Sequence, residues 1–342
     1  MYLTRQEYRQ AWDRAYEEDP PVPLNVDIEL ASTCNAKCTF CLYGDRDWVG
    51  SMVEKDWDGK PKKRFMPKDM AFKIIAECAE LGVPALKFNF KGESVLHPSY
   101  GDIIEHAAKF GRCGQASCRY KAFHDLLANT NGNIPDALWD SGIRGLMACT
   151  KVMVSLDSLD YQIYSKVRVG LDLDRVKDVI DELVRRGHPD LWVRRVVCKS
   201  NKDEDFVSAA KKRWPAGVKV SEHFAFDRNH YAQEEMTGDD YTKWPRKYCG
   251  YPSQRVVLEA SGSYVPCCVA WEGEFQPGAG RWPGLNIKDY WKSSWRKQLT
   301  QELRGGVFNN SKCKNCTSFM AYDRPERSFV EDREGYARRS SS

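Results

Sequence analysis

Three cysteines stand close together near the start of the chain, in the stretch ASTCNAKCTFCLYG at residues 31–44. Cys34, Cys38 and Cys41 follow one another at intervals of four and three residues, with an aromatic residue just before the last. Three thiolates in one short loop suit zinc or an iron–sulfur cluster, because both prefer soft sulfur ligands. Three ligands on a four-iron cluster leave one iron open to a substrate or cofactor, whereas a structural zinc site needs four closed ligands.

A second set of cysteines lies in the C-terminal part of the chain. Its members are Cys249, Cys267, Cys313 and Cys316. Twelve residues separate the first from Gly262 and four separate Gly262 from the second, so a glycine-bearing hairpin would bring the ligands together. Four thiols complete an iron–sulfur site or a zinc ribbon, and the residues leave both open. Cys268 is surplus: it is an alternative ligand, a hydrogen donor or a packing residue, and the four-residue gap favours Cys267 as the ligand.

Short β-like runs alternate with amphipathic helical runs up to about residue 226. Strands are predicted at 26–31, 85–90, 125–130, 151–156, 191–198 and 218–224, and helices at 67–82, 99–111 and 173–187. This alternation is typical of parallel βα units, in an open sheet or a partial barrel, which bind ligands at the carboxyl ends of their strands. The three-cysteine loop directly follows the first strand, so it lies at that end.

Composition narrows the class of protein. The 342 residues include 52 lysines and arginines against 48 acidic residues, and the net charge of +4 is too small to indicate a nucleic-acid or membrane-surface partner. A charged N-terminus and the lack of a long apolar run predict neither a secretory signal nor a membrane span, so we expect a cytoplasmic protein. In a reducing compartment, clustered cysteines indicate metal or redox sites rather than structural disulfides.

The CxxxCxxC spacing, with Phe40 before the third cysteine, resembles the signature of the radical S-adenosylmethionine (radical SAM) superfamily. Three further stretches resemble motifs of that family in the expected order. NFKGESVLHP (89–98) resembles its Gly-Gly-Glu stretch, with Lys91 in place of the first glycine; NTNGN (129–133) resembles its Thr-Asn-Gly turn, and VSLDS (154–158) its serine-containing strand. The resemblance implies an α/β fold with a partial (β/α)6 TIM-like barrel, a 4Fe-4S cluster with an open iron on the three cysteines, and S-adenosylmethionine (SAM) as cofactor.

The same resemblance implies a set of cofactor contacts. Gly92 and Glu93 would meet the methionyl amino group of SAM, while Ser155 and Arg168 are candidates for its ribose or carboxylate. The full set of implied cofactor-binding residues is Phe40, Gly92, Glu93, Asn131, Ser155, Arg168 and Asn201. From the residues alone, an ordinary glycine turn, a strand-end serine and an exposed arginine remain alternative explanations.

The C-terminal cysteines and the helical stretch 284–306 between them resemble the SPASM/twitch extension of radical SAM enzymes. In that extension the four cysteines hold an auxiliary 4Fe-4S cluster. No cysteine follows Cys316, so the chain resembles the twitch version with one auxiliary cluster. The predicted organisation is a helical lead-in (1–25), a radical SAM partial barrel (26–226), a small cysteine-rich twitch domain (227–320) and a tail (321–342).

The resemblance implies a radical SAM oxidoreductase. Such an enzyme cleaves SAM reductively to a 5′-deoxyadenosyl radical, which abstracts a hydrogen atom from a substrate C–H, with electrons from a donor such as flavodoxin or ferredoxin. A fully ligated auxiliary cluster suits outer-sphere electron transfer, so we expect a dehydrogenase of a small polar molecule such as a sugar or aminocyclitol.

Three different functions stay open beside this one. An epimerase would use a cysteine as hydrogen donor, and the candidate thiols are Cys113, Cys118, Cys149, Cys198 and Cys268. Radical modification of a peptide is a second possibility, which we rank lower because about 25 residues precede the first strand, too few for a peptide-binding segment. A non-catalytic metal-binding scaffold is the third.

Overall fold

The structure is a computed structural model that describes residues 3–15, 17–44, 65–111, 122–224, 249–271, 273, 275, 278–314 and 316. Two of the candidate hydrogen donors, Cys113 and Cys118, lie outside the described residues. The predicted tail at 321–342 lies outside them too.

Eight strands form one sheet in the described part of the chain, in the order β6-β5-β4-β3-β2-β1-β7-β8. They are β1 (Asn25–Ile28), β2 (Ala85–Lys87), β3 (Asp125–Thr130), β4 (Lys151–Ser155), β5 (Leu191–Val197), β6 (Lys219–Phe224), β7 (Arg255–Leu258) and β8 (Tyr264–Val265). Strands β1 to β6 pair in parallel, each with its neighbour in sequence. All six predicted strands are present, with ends within three residues of the prediction.

Helices connect the parallel strands. The helices are α1 (Arg5–Arg14), α2 (Lys68–Leu81), α3 (Tyr100–Lys109), α4 (Trp139–Ala148), α5 (Tyr161–Val167), α6 (Leu173–Arg185), α7 (Phe206–Arg213), α8 (Tyr251–Gln254), α9 (Ile287–Lys292), α10 (Ser294–Arg304) and α11 (Ser311–Lys314). Helices α2 to α7 lie between successive strands β1 to β6, which confirms the α/β fold with a partial (β/α)6 barrel. Within the described ranges, no helix has the length and hydropathy needed to cross a bilayer.

Helix α2 shows how the sequence sets these boundaries. Its buried residues recur with the helical period and pack into the main core: Ala71, Ile74, Ile75, Cys78 and Ala79. The helix ends at Gly82, which takes a left-handed conformation with φ of 84° and donates its N–H to the preceding turn. Glycine adopts this conformation without steric cost, so the predicted stop signal works as a C-terminal cap.

The C-terminal region begins as an extension of the barrel sheet. Strand β7 pairs in parallel with β1, and the chain then turns through Gly262, with φ of 88°, into antiparallel β8. A side chain at this glycine would meet the carbonyl oxygen of Trp282 at 2.7 Å. The hairpin between the first two cysteines of the second set is therefore present, and it is hydrogen-bonded to the barrel.

The two faces of the sheet differ in polarity because successive strand residues point in opposite directions. Outward residues such as Val26, Leu86 and Val154 pack in the main core. The residues that alternate with them face the inside of the barrel, and many are polar or charged. We call this inward surface the lumen, and its charged members include Asp27, Glu29, Lys87, Arg194, Arg255 and Glu259. Asp125, Lys151 and Lys219 have the same orientation on β3, β4 and β6.

Candidate functional site

The three-cysteine loop, residues 31–44, leaves the carboxyl end of β1 and is fixed by backbone contacts. Lys37 N–H donates to the carbonyl of Val169 at 2.9 Å, and the Tyr43 hydroxyl donates to the carbonyl of Ser32 at 2.7 Å. Cys38 is buried, while Cys34 and Cys41 are half-buried. The loop thus presents three thiols at the edge where parallel α/β folds bind ligands.

Hydrogen-bond donors surround two of these sulfurs. The N–H of Ala36 donates to Cys34 Sγ at 3.4 Å, and Arg168 Nη1 donates to Cys38 Sγ at 3.2 Å. Burial raises the pKa of the Cys34 thiol, and it raises the pKa of Cys38 to about 11 against the opposing effect of the guanidinium. Metal binding must therefore displace thiol protons, and the donors favour the thiolates that an iron–sulfur cluster requires.

The loop after β2 packs directly against the cysteine loop at Gly92. A Cβ atom on this residue would lie 2.3 Å from the Ala31 carbonyl oxygen and 2.5 Å from the Thr33 carbonyl oxygen. The next residue, Glu93, donates its N–H to the same Thr33 oxygen at 2.8 Å. Only glycine fits so close to another backbone, which explains why this motif keeps its second glycine although Lys91 replaces the first.

Glu93 connects the loops that follow β2 and β3. Its carboxylate accepts the N–H of Asn131 at 2.6 Å and the N–H of Val95 at 3.4 Å, and its side chain is almost completely buried. Burial raises the pKa of this carboxyl group. A buried carboxylate of this kind favours a cationic partner, such as the amino group of a ligand.

Asn131 joins the turn after β3 to the cysteine loop. Its Nδ2 donates to Asn35 Oδ1 at 2.8 Å, and its Oδ1 accepts the N–H of Asn133 at 2.8 Å. Gly132, with φ of 71°, completes the turn that the Thr-Asn-Gly stretch predicted. The motifs after β1, β2 and β3 therefore form one connected group at the carboxyl ends of these strands.

Arg168 lies against the cysteine loop. Its guanidinium pairs with the buried carboxylate of Asp157, donates to Cys38 Sγ and lies 5.2 Å from the ring centroid of Phe40. These contacts bring two of the predicted cofactor-binding residues, Phe40 and Arg168, together beside the buried cysteine. Ser155, the last residue of β4, lies next to Arg194 in the sheet register. Contact of these three residues with SAM stays a prediction.

Asn201 organises the loop after β5. Its Nδ2 donates to the carbonyl oxygens of Asp157 and Val196, both at 3.0 Å, and its Oδ1 accepts the N–H of Cys198 at 2.8 Å. The amide is buried, and both of its donor hydrogens are used by the protein backbone. In this structure the residue supports the Asp157 turn, and its predicted contact with SAM is untested.

The four cysteines of the second set line one pocket together with apolar residues. The lining residues are Cys249, Pro252, Pro266, Cys267, Val269, Phe275, Leu299, Leu303, Cys313 and Cys316. The N–H of Val269 donates to Cys267 Sγ at 3.4 Å, and burial raises the pKa of that thiol. Cys268 is not among the lining residues, which agrees with the preference for Cys267. We call this the four-cysteine pocket.

The donor set of each region suits an iron–sulfur cluster by its chemistry: thiols only, buried or half-buried, with N–H groups directed at sulfur. In the described ranges, no group of three or more His, Cys, Asp or Glu side chains is arranged to hold a single metal ion.

Sequence reasoning missed several contacts at this end of the barrel. Lys91 forms a buried ion pair with Glu259, which follows β7, and Trp271 packs edge-on to both Tyr43 and Phe90 at centroid distances of 6.2 Å. These contacts join segments far apart in sequence, so no local pattern could reveal them. The position of Glu259 just after an apolar strand was the one available signal, because polar groups at strand ends often belong to sites.

Comparison with known proteins identifies the family. The profile of the Radical SAM superfamily matches residues 28–212, more than half of the chain. A GTP 3′,8-cyclase from Clostridium botulinum is 23% identical over 202 residues, which cover 57% of this chain and 54% of that protein. The chain thus spans about half the length of the curated relatives it matches. This chain belongs to the Radical SAM superfamily, and membership implies a 4Fe-4S cluster and SAM as cofactors.

Two solved structures share the fold at low sequence identity. BtrN in complex with AdoMet and 2-DOIA gives a TM-score of 0.51 at 15% identity, covering 88% of this chain and 94% of that chain. Streptococcus suis SuiB bound to the precursor peptide SuiA gives 0.60 at 12% identity, covering 91% and 73%. Both similarities extend beyond the matched family region into the cysteine-rich C-terminal part.

Proposed function

We propose that this radical SAM enzyme is a dehydrogenase of a small polar molecule and carries a second, auxiliary 4Fe-4S cluster. One observation carries the proposal: four cysteines line a single pocket that is separate from the three-cysteine loop. Four protein ligands leave no open iron, so an electron-transfer role suits this pocket better than substrate binding. Oxidation of an alcohol, H–C–OH, to a carbonyl requires loss of a hydrogen atom from carbon, a proton from the hydroxyl group and one further electron, so an electron acceptor is needed in addition to hydrogen abstraction.

The first centre would be held by Cys34, Cys38 and Cys41. When bound there, the cluster and SAM supply a 5′-deoxyadenosyl radical that removes a hydrogen atom from the substrate. The protein's part is to orient the cofactor. Gly92 allows close approach of the backbone, and the buried carboxylate of Glu93 is the acceptor for the amino group of SAM. Asn131, Ser155, Arg168, Asn201 and Phe40 complete the proposed cofactor-binding set.

The second centre would be held by Cys249, Cys267, Cys313 and Cys316. A cluster held by these residues would supply an outer-sphere acceptor for the electron that the substrate loses. Val269 supplies a backbone N–H to Cys267 Sγ, and the apolar lining keeps water from the centre. A flavodoxin or ferredoxin is the proposed external donor, because reductive cleavage of SAM at the first centre requires a low-potential electron.

The polar lumen supports a small molecule as substrate. Asn129 Oδ1 is buried and accepts no hydrogen bond within the described residues, so a substrate hydroxyl is a suitable donor to it. Among the structures of similar fold, BtrN is solved with 2-DOIA, and SuiB is solved with a peptide. We rank the small molecule first because the polar and charged side chains that point into the barrel suit recognition of a compact polar ligand.

An epimerase is the second candidate function, and the position of Cys268 supports it. This thiol is half-buried, in the segment that follows β8, rather than enclosed in a core. Cys149 and Cys198, in contrast, are buried, the first in the main core and the second in a small cluster with Val167. In deuterated water an epimerase would transfer deuterium from the thiol to the product carbon, whereas a dehydrogenase would not. Loss of that label in Cys268→Ser would identify the epimerase.

Metal content and SAM cleavage test the proposal together. Anaerobically reconstituted wild type should hold about eight irons, and the Cys34/Cys38/Cys41 triple alanine variant about four. Of these two proteins, only the wild type should form 5′-deoxyadenosine with dithionite. Cys267→Ala should also lose about four irons, whereas Cys268→Ala, the adjacent control, should keep about eight. Zinc in the four-cysteine pocket would refute the auxiliary cluster, and absence of 5′-deoxyadenosine from the reconstituted wild type would refute the radical chemistry.

A further inference from the structure

The lumen carries charges on several strands. Asp27 on β1 is the register partner of Lys87 on β2, and Arg255 on β7 lies beside Asn25 on β1. Arg194 on β5 completes the ring from the opposite part of the sheet. The middle of the lumen therefore contains three cationic side chains and one carboxylate.

Each of these lumen carboxylates has at least one partner in the protein, although Asp27 Oδ2 accepts no hydrogen bond within the described residues. Asp27 accepts a hydrogen bond from Asn25 and lies 3.8 Å from the guanidinium of Arg255. Glu259 is paired with Lys91, and Glu29 accepts the N–H of Ala260 at 3.0 Å. A cationic substrate would have to compete with these contacts.

Lys87 is in the opposite situation. Its side chain is half-buried, and within the described residues its ammonium makes no hydrogen bond or ion pair. Burial lowers its pKa, and the positive charges of Arg255 and Arg194 lower it further, against the raising effect of Asp27 and Cys268. A partly desolvated ammonium whose pKa is lowered by burial is stabilised when an anion binds beside it.

Arg194 is held in place on the other side of the lumen. Its Nη1 lies 3.3 Å from the sulfur of Met153 and its Nη2 lies 3.3 Å from His223 Nδ1. These contacts fix the orientation of the guanidinium, and a fixed planar guanidinium is well suited to bind a carboxylate or phosphate. Lys87 and Arg194 therefore both point into the lumen, from β2 and β5.

We propose that Lys87 and Arg194 form an anion-binding subsite in the lumen that holds a carboxylate or phosphate group of the substrate. This inference rests on the proposed function for the identity of the ligand as substrate, and it narrows the substrate class. A sugar acid, a phosphorylated sugar or a nucleotide fits the subsite, whereas a cationic aminocyclitol does not. The site lies below the motifs at the strand ends, so the anion would anchor the substrate away from the reacting C–H.

Anion binding to the reconstituted resting protein tests the subsite without turnover. We would measure thermal unfolding with inorganic phosphate, acetate or methylammonium, each against sodium chloride at the same ionic strength, because a ligand that binds only the folded protein raises its melting temperature. We expect phosphate, acetate or both to raise the melting temperature of wild type, and methylammonium to leave it unchanged. Protection by methylammonium alone, or by no ion, would overturn the proposal.

Variants test whether Lys87 and Arg194 bind the protective anion. Lys87→Met and Arg194→Met should each weaken binding of the protective anion at least about tenfold, the loss typical of a charge-assisted contact. Lys87→Arg keeps the charge and should bind within about threefold of wild type, which separates charge from folding defects. Lys177→Met removes a lysine paired with Asp174 on the surface of α6 and is the matched control. Undiminished binding in folded Lys87→Met, or equal loss in Lys177→Met, would contradict the assignment.

The two proposals fail in different ways. If the radical chemistry is wrong, the protein makes no 5′-deoxyadenosine but still binds the anion through Lys87. If the subsite is wrong, SAM cleavage and iron content are normal while anion protection is absent or independent of Lys87 and Arg194.

Discussion

The ion pair between Arg168 and Asp157 is buried beside Cys38, and its removal should have a large effect on stability. Asp157 is completely shielded from solvent, and Arg168 is nearly so. In Arg168→Met the carboxylate keeps the N–H of Val196, at 2.5 Å, but loses its counter-charge. Leaving one partner of a buried pair uncompensated costs about 3–5 kcal/mol, so we expect a loss of that size in the free energy of unfolding.

Asp157→Asn completes a double-mutant cycle. Asp157 has a positive φ of 65°, and asparagine tolerates this left-handed conformation and can still accept the Val196 N–H. The double variant Arg168→Met/Asp157→Asn removes both charges, so its loss should be smaller than the sum of the single losses by about 2–3 kcal/mol. Urea unfolding of the three variants and wild type, with unchanged slope as the control, measures the coupling.

Strictly additive losses of unfolding free energy in the two single variants, or a loss below about 1 kcal/mol for Arg168→Met, would refute the reasoning, because exposed ion pairs on a protein surface give such results.

A second measurement separates an effect of Arg168 on stability from its effect on Cys38. Arg168 Nη1 donates to Cys38 Sγ at 3.2 Å, and hydrogen bonds to sulfur favour the reduced, more negative cluster. The midpoint potential of the first cluster should therefore fall in Arg168→Met, whereas a purely structural defect would leave the potential of the assembled cluster unchanged.

Two further predictions follow from Gly92 and His97. Gly92→Ala should lower the free energy of unfolding by about 1–3 kcal/mol and reduce the iron content of the first site, because the added Cβ would overlap the Ala31 carbonyl. Urea unfolding and iron assays measure both effects. Gly217→Ala is the control, because open space surrounds that residue. Burial lowers the pKa of His97, so the unfolded chain takes up a proton near pH 6.5 before the folded protein does. Wild type should therefore lose stability relative to His97→Gln as the pH falls from about 8 to about 5, and a constant difference in unfolding free energy would contradict this.

The sequence predicted the barrel well because its signals are local. Period-two runs and helical runs gave all six parallel strands, and Gly82 ended α2 as expected. Strand β7 escaped prediction as part of the barrel sheet, since its apolar run Arg255–Leu258 lies in a region without alternating helices. Its partner β1 is more than 200 residues away in sequence, and only tertiary packing brings the two together.

The site was predictable where its chemistry depends on residue type and spacing. It was unpredictable where the chemistry depends on which way a side chain points. The three cysteines and the Gly92–Glu93 pair could be found from their order along the chain. The direction of Arg168 toward Cys38 and Asp157 could not, because its side chain crosses from one loop to another. The lowered pKa of Lys87 could not be predicted either. It depends in part on Arg194 of β5 and Arg255 of β7, and no local pattern places these charges in the lumen.

The departure of Lys91 from the family motif connects these observations. A glycine at this position would need no partner, but a buried lysine does, and Glu259 after β7 supplies it. The pair ties the loop that carries Gly92 and Glu93 to the hairpin that leads to Cys267. Trp271, in contact with Tyr43 on one side and donating to the carbonyl of Cys268 at 2.7 Å on the other, makes a second connection between the same regions. These contacts join the loops after β1 and β2 to the hairpin that leads to the four-cysteine pocket, so we expect a change in that pocket to reach the three-cysteine loop through the fold.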